Sequence, residues 1–424
     1  MEWVTVCFHP HSAPIPFALQ TDHQKGNKMT WRNWTSGFIA VLTLSIYTTP
    51  LDAMQEMNAT WKNGLRFSTA DGENSISLGG RLQIDAGFFS EESGIDAEQD
   101  GVEMRRARLA IAGVIGGNVE FKTQYDFGGG DADFKDAYVG LKDAGFLGHV
   151  RIGQLKEPMG LEWATSSKYI TFAERSFTSA INPGRNTGLL SIHSLGADDN
   201  GSVAIGYFKD VNGYGNGQED DQSSLTGRVT YLPFFEDSGQ RLLHLGASFS
   251  RRDSSKGVVR YQADSLSHMG TDIVDSGDIS SASADLFGAE VAYLQGPWSA
   301  QAELITSTLE DDSKVTAWYA QGSYFLSGES RPYKKSTASF SRVKPKNNYG
   351  KDGSGAIEVA IRVQEIDLEE ILSNENAEAL SIGINWYLNA NARVMFNAIQ
   401  ASPDAASLYG NDVHSYVMRF AVNF

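Results

Sequence analysis

Along much of the chain, apolar and polar residues alternate with a period of two. At the end of the sequence, Tyr416, Met418, Phe420, Val422 and Phe424 share one parity, while Ser415, Arg419 and Asn423 share the other with Val417 and Ala421. The same pattern recurs upstream. Ile76, Leu78, Leu82, Ile84, Ala86 and Phe88 oppose Ser75, Ser77, Arg81, Gln83 and Asp85. Val119, Phe121 and Tyr125 oppose Glu120, Lys122, Gln124 and Asp126. Leu243, Leu245, Ala247 and Phe249 oppose His244, Ser248, Ser250 and Arg252, and Ile357, Val359, Ile361 and Val363 oppose Glu358, Arg362 and Gln364. Leu380, Ile382, Ile384 and Trp386 share a face. A period of two is the signature of strands with two different faces. Charges at so many positions of one face cannot sit in a dry core, as a soluble sandwich would require. They fit a water-filled lumen, with the apolar face against lipid. The pattern predicts an all-β fold, a transmembrane antiparallel β-barrel.

Turn chemistry separates the segments, at Gly128–Asp131, at 198–201 and at 389–391. After Ala53 roughly 370 residues remain, which fits sixteen strands of about ten residues with their loops. The acidic stretch 210–222 reads as an outer loop. One segment breaks the alternation. Residues 156–187 show no strand pattern, which is too long for an ordinary connection. In a barrel such a segment folds inward and narrows the pore.

No run of eighteen apolar residues is present, so the sequence offers no membrane-spanning helix. The one apolar run, 37–46, follows Lys28 and Arg32 and precedes Leu51, Asp52 and Ala53. This is the layout of a secretory signal. We expect residues 1–28 to be an upstream extension with Met29 as the true start, 29–53 to be the signal peptide with cleavage after Ala53, and 54–424 to form the barrel. The single cysteine, Cys7, falls in the extension. The mature part then has no thiol to oxidise in the periplasm and none for catalysis or metal binding.

The formal net charge is −17. Net charge sets solubility and the long-range field, whereas the charges lining a pore set its selectivity. The basic residues are grouped. Arg331, Lys334, Lys335, Arg342, Lys344, Lys346 and Lys351 lie together with no acid between them. We place this group at the outer mouth, where one sign of charge concentrates counter-ions over a Debye length of about 8–10 Å. Arg105, Arg106 and Arg108 form a second group. Strand parity turns Arg106 and Arg108 inward, whereas Arg105 falls on the lipid parity and needs a bulge or a position near the membrane edge. Lys156, Lys168, Arg175 and Arg185 lie in the inserted segment, interleaved with Glu157, Glu162 and Glu174. Arginine suits anion transfer because it stays charged and presents a planar fork of donors to an oxyanion.

Several segments together resemble the phosphate-selective porin O and P family. They are LGGRLQ at 78–83, RRARL at 105–109, GQLKEPMGLE at 153–162, ITFAERS at 170–176, NPGRNTG at 182–188, LSGESRPY at 326–333, RVKP at 342–345 and GINWYLN at 383–389. The resemblance runs from about Leu78 to Phe424. It implies a sixteen-stranded, trimeric outer-membrane porin of Gram-negative bacteria with anion preference, an arginine ladder, an outer lysine cluster and a constricting loop. On this resemblance Arg81, Arg105 and Arg106 match the ladder, Arg175 the central site and Lys168 a nearby lysine. Lys334, Lys335 and Lys344, beside Arg342 and Lys346, fall in the outer cluster. There are departures. Lys135 stands where phosphate-specific members have an aspartate, with Asp136 beside it. Arg108 and Lys156 stand where tyrosines or a carboxylate are usual. After Arg252 only Arg260 precedes His268, so the entry ladder is thinner and the constriction more basic. Phosphate, pyrophosphate, polyphosphate or small anions in general all remain open as solutes.

Other chemistry is weak. Asp126, Asp131, Asp133 and Asp136 surround a glycine-rich turn, but not at EF-hand spacing. The histidines show no zinc spacing, and nothing places a serine beside a base. We expect a passive channel with no catalytic residue, metal or cofactor. Its partners would be small inorganic anions, outer-membrane lipid and lipopolysaccharide, and two further copies of itself, with no nucleic acid. A general or weakly cation-preferring porin is the alternative that the −17 balance suggests. A barrel enzyme or adhesin is the alternative of another class.

Overall fold

The computed structural model describes residues 57–61, 63–91, 99–217, 223–254, 257–351, 353–372, 376–404 and 412–424. The expected extension and signal peptide lie outside the described residues, as does the 218–222 part of the acidic loop. Sixteen antiparallel strands follow one another around a barrel. They are β1 (Ser75–Glu91), β2 (Gly101–Ile115), β3 (Val119–Asp126), β4 (Asp133–Leu141), β5 (His149–Lys156), β6 (Arg185–Leu195), β7 (Gly201–Lys209) and β8 (Ser223–Glu236). Then come β9 (Arg241–Asp253), β10 (Ser283–Gln295), β11 (Trp298–Leu309), β12 (Lys314–Phe325), β13 (Ala356–Asp367), β14 (Asn376–Tyr387), β15 (Ala392–Pro403) and β16 (Val413–Asn423). β16 pairs with β1 from Val413↔Glu91 to Asn423↔Arg81, which closes the sheet. Closure leaves no unpaired edge facing lipid. A short hairpin, Met57–Trp61 with Leu65–Thr69, extends the lower part of β1. Among the described residues no helix is long and apolar enough to cross a membrane; the strands do so.

The parity read from the sequence is the parity of the barrel. Leu82, Ile84, Phe88, Ile361, Ile382, Tyr416, Met418 and Phe420 are exposed on the outside, while Arg81, Gln83, Asp85, Arg362, Asn385 and Arg419 are buried inside. Of the two ways to accommodate Arg105, a bulge or a place near the membrane edge, the register shows the bulge. Gln83 pairs with Arg106 and Asp85 with Glu103, so Met104 and Arg105 together oppose Ile84. Arg105 and Arg106 therefore both reach the interior.

Connections after odd-numbered strands lie at one end and include the long ones, 157–184 and 254–282. Those after even-numbered strands lie at the other end and are short, such as 116–118, 296–297 and 388–391, apart from 326–355. Short turns mark the periplasmic end of outer-membrane barrels. The basic stretch 331–351 follows β12, an even strand. It thus sits at the short-turn end, opposite to the outer mouth where the sequence analysis placed it. Its contacts agree: Arg342 donates to Ala390 O at 2.7 Å and Lys335 to Asp198 O at 2.8 Å, both in short turns.

The interior is not uniformly polar. Met159, Phe177 and Ile181 of the 157–184 loop, with Tyr261, Leu266, Ile273 and Val274 of the 254–282 loop, pack on inward Ile305, Val315, Ile366, Met395 and Val417. Two loops fold into the barrel and bury apolar surface against one wall.

Candidate functional site

The 157–184 loop is the centre of the site. It leaves β5 through Pro158 and Gly160, whose φ of 76° favours glycine. One helical turn follows, Leu161–Ala164. Its first N–H groups would be orphans. Glu303 of β11 accepts them, from Leu161 at 2.7 Å and from Glu162 at 2.6 Å. Further on, inward side chains of β13–β16 hold the loop backbone. Arg393 donates to Ile170 O at 2.9 Å, Asn385 to Thr171 O at 2.8 Å and Arg362 to Glu174 O at 3.2 Å. Gln364 accepts from Phe177 N at 3.2 Å and Asn397 from Ala173 N at 2.7 Å. Polar inward residues on this wall thus fix the loop and do not line open water.

Arg81, Lys156, Lys168 and Arg175 gather where the loop faces β1 and β5. Arg81 on β1 donates to Ser167 Oγ, and Lys168 reaches back to Gly80 O at 3.0 Å. The same Gly80 carbonyl accepts Phe424 N–H at 3.2 Å, so barrel closure and loop share one atom. Lys156 and Arg175 both stand over the Trp163 ring, at 4.7 and 4.9 Å from its centroid. Arg175 donates to Thr165 O at 2.9 Å and to Glu162 O at 3.3 Å; Lys156 donates to Trp163 O and, at 3.5 Å, to Thr165 O. All of these acceptors are uncharged. Among the described residues none of these four bases makes an ion pair. Burial pulls the Arg175 guanidinium down to about 10, which leaves it charged at pH 7.

The neighbouring bases are matched by acids. Arg108, directly across the strand pair from Arg81, donates to Asp126 at 2.6 Å. Arg185 donates to Asp136 at 2.8 Å and Lys122 bonds the other oxygen of that carboxylate. Lys135 pairs with Asp133 at 3.3 Å. Three of the four aspartates considered as a calcium site, Asp126, Asp133 and Asp136, are therefore spent on bases, and no metal-holding cluster occurs among the described residues. Counted together, Arg81, Arg108, Lys122, Lys156, Lys168, Arg175 and Arg185 face Asp126, Asp136 and, beside Arg175, Glu162, so this side of the constriction carries excess positive charge.

Arg105 and Arg106 serve differently. Arg105 grips Glu174 with two bonds, 2.7 and 3.0 Å, and Arg106 adds a third at 3.2 Å. Arg419 of β16 adds a fourth at 2.5 Å while holding Asp85 at 2.7 and 2.5 Å. Burial pushes the Glu174 carboxyl up, but Arg106, Arg105 and Arg419 hold it well below the usual carboxylate range. Arg362, Arg393 and Arg419 were not among the expected pore residues. Inward parity was the available signal, and it applies to all three.

Below the loop lies a cavity of ≈ 830 Å³ at the short-turn end. Ala164, Ser166 and Tyr169 roof it, and Arg331, Lys334, Arg342, Lys344 and Lys346 line it with Glu329 as the one acid. Arg342 faces the ring of Tyr169 at 5.7 Å. Lys346 donates to Gly328 O at 2.7 Å and Lys335 reaches Asn200 at 2.7 Å.

Comparison with known proteins places this arrangement. The chain is 27% identical to Porin O of Pseudomonas aeruginosa over 390 residues, covering 81% of this chain and 86% of that protein. Its fold resembles an anion-selective porin from Comamonas acidovorans, at 13% identity and a TM-score of 0.53 over 83% of this chain and 100% of the other. It also resembles the in-vitro folded trimer form of the outer membrane protein OmpT of Vibrio cholerae, at 12% identity and a TM-score of 0.50 over 82% and 99%. The family model for phosphate-selective porin O and P matches residues 76–424. Because that match spans the closed barrel and the loop that narrows it, the chain belongs to the phosphate-selective porin O and P family, whose members are passive channels of the Gram-negative outer membrane and not enzymes.

Proposed function

We propose that the chain is a passive, anion-selective channel whose solutes are phosphate-type oxyanions: phosphate, pyrophosphate or short polyphosphate. The observation that carries this reading is the set Arg81, Lys156, Lys168 and Arg175. Each is held by neutral oxygens, so no carboxylate cancels the charge it carries. A carbonyl fixes the geometry of a base without cancelling it, whereas a carboxylate cancels it. Several donors in a row can replace an oxyanion's hydration shell stepwise and still release it. The −17 balance does not oppose this, because the acids near this ring are engaged by other bases: Asp126 by Arg108, Asp136 by Arg185 and Lys122, and Glu162 by Arg362. The cavity lined by Lys334, Arg342 and Lys344 then collects anions at the periplasmic end. Assembly as a homotrimer and cleavage after Ala53 belong to the same proposal.

The test is single-channel recording in a planar bilayer across a potassium chloride gradient, followed by titration with phosphate and pyrophosphate. An anion-sided reversal potential with saturating block is expected. A potential near zero or cation-sided, without block, would sink the reading in favour of a general porin.

A further inference from the structure

We propose that Glu174 is a tethered counter-ion occupying a second oxyanion site, built by Arg105, Arg106 and Arg419, and that an incoming divalent oxyanion displaces it. The proposal rests on the anion-channel reading above. Glu174 is gripped as a bound oxyanion would be. Its two oxygens take four bonds from three guanidiniums, two of them the parallel fork of Arg105. Such a fork recognises carboxylate and phosphate alike. Two of the arginines are placed by other partners. Gln83 accepts from Arg106 at 2.8 Å, and Asp85 and Ala173 O hold Arg419. The site also has spare capacity, since the buried Nε of Arg106 has no partner.

Charge favours exchange. The ion pairs of these three guanidiniums go to two carboxylates, Asp85 and Glu174, with Asp264 of the inward loop nearby. Within those pairs, a dianion in place of the Glu174 carboxylate would match the third guanidinium charge that Glu174 leaves unmatched. Access is present too: the Arg105 and Glu174 side chains keep 16% and 11% exposure, unlike Arg419 at 0%. A tethered carboxylate has a use in a channel. It competes with the solute, so the site binds weakly enough to let go.

The experiment compares the full-length channel with Glu174→Gln and Glu174→Asp in planar bilayers, using inorganic phosphate and pyrophosphate as blockers. In Glu174→Gln we expect the half-blocking pyrophosphate concentration to fall about tenfold, equivalent to about 1.4 kcal/mol. Phosphate should shift less, and chloride least. Glu174→Asp keeps the charge on a shorter stem, so its shift should have the same sign and be smaller. Adding Arg105→Gln to Glu174→Gln should remove the gain. Half-blocking concentrations that stay unchanged or rise in conducting variants would overturn the proposal. If Glu174→Gln yields no channels, the sign of the Glu174→Asp shift decides alone. The two readings fail separately. A cation-sided wild type sinks the anion-channel reading. An anion-sided wild type with unshifted variants sinks only the tethered counter-ion.

Discussion

Two sets of bases meet the same loop and are held in opposite ways. Arg105, Arg106 and Arg419 close on Glu174 and Asp85, whereas Arg81, Lys156, Lys168 and Arg175 close on carbonyls and a hydroxyl. Both sets are basic and both reach the barrel interior. The acceptor separates them. In a partly desolvated interior a carboxylate leaves little field for a solute, and a carbonyl leaves most of it. An inward arginine is therefore not evidence of a working pore charge until its partner is known.

The sharpest way to break this comparison is to reverse one charge in the carbonyl-held set and to neutralise one in the carboxylate-held set. Arg81→Glu should lower the anion-to-cation permeability ratio by about tenfold, since two charge units change at a ring of effective dielectric near 20. Arg106→Gln should change the ratio by no more than about twofold, because Glu174 keeps Arg105 and Arg419. Reversal potentials in a salt gradient measure both. Equal effects from the two would show that the acceptor does not matter.

Next in size is Arg175→Ala, with an expected fall in the permeability ratio of about three- to fivefold, as one unit is lost. Arg175 also ties the loop through Thr165 O and Glu162 O. Arg175→Lys separates the two roles, because it keeps the charge and loses the fork. Selectivity near wild type in Arg175→Lys with loss in Arg175→Ala assigns the effect to charge. Unchanged selectivity in Arg175→Ala would remove Arg175 from the conducting path.

A smaller effect follows from pH. Burial, then the charges of Arg81, Arg342, Lys122 and Arg108, pull the Lys168 ammonium down to about 7. Its charge is thus full below that pH and lost above it. Asp264, in the inward 254–282 loop, is pushed up to about 7 by burial and by Glu174. It gains negative charge over the same range. Both changes act in one direction, so anion preference should fall by about twofold between roughly pH 6 and 8. Lys168→Gln should flatten part of this profile and Asp264→Asn the rest. A flat wild-type profile would show that neither group titrates within reach of the solute.

Much of the fold was legible in the sequence, and the reason is physical. Lipid on one side and polar groups on the other impose a period of two on every strand, so the parity of Leu82, Ile361 and Met418 could be read directly. The inserted loop was legible as a failure of that period. Other features were not. The position of Lys334 and Lys344 depends on counting every strand, since one connection more or less moves a segment to the opposite mouth. The apolar inward residues Val315, Ile366 and Met395 break the expected alternation because Phe177 and Leu266 pack on them from loops distant in sequence. The partners of Arg419 and Arg393 are likewise set by loop packing, so no local pattern separates loop anchors from pore charges.

The smallest expected effect comes from the short-turn end, and it tests whether distance from the ring matters. Lys334 and Lys344 line the ≈ 830 Å³ cavity with Glu329 as its one acid. They lie in open aqueous space, where field is screened within a Debye length of about 10 Å at 0.1 M salt and about 3 Å at 1 M. A joint Lys334→Gln and Lys344→Gln change should therefore leave the reversal potential nearly unaltered at high salt. At about 0.1 M it should lower anion current by less than about twofold, and only when anions enter from the short-turn side. That asymmetry is the informative part. Addition of blocker to each chamber in turn, at both salt concentrations, measures it. An effect equal from both sides and resistant to salt would mean that these lysines act on the constriction itself, and the comparison drawn between ring and vestibule would fail.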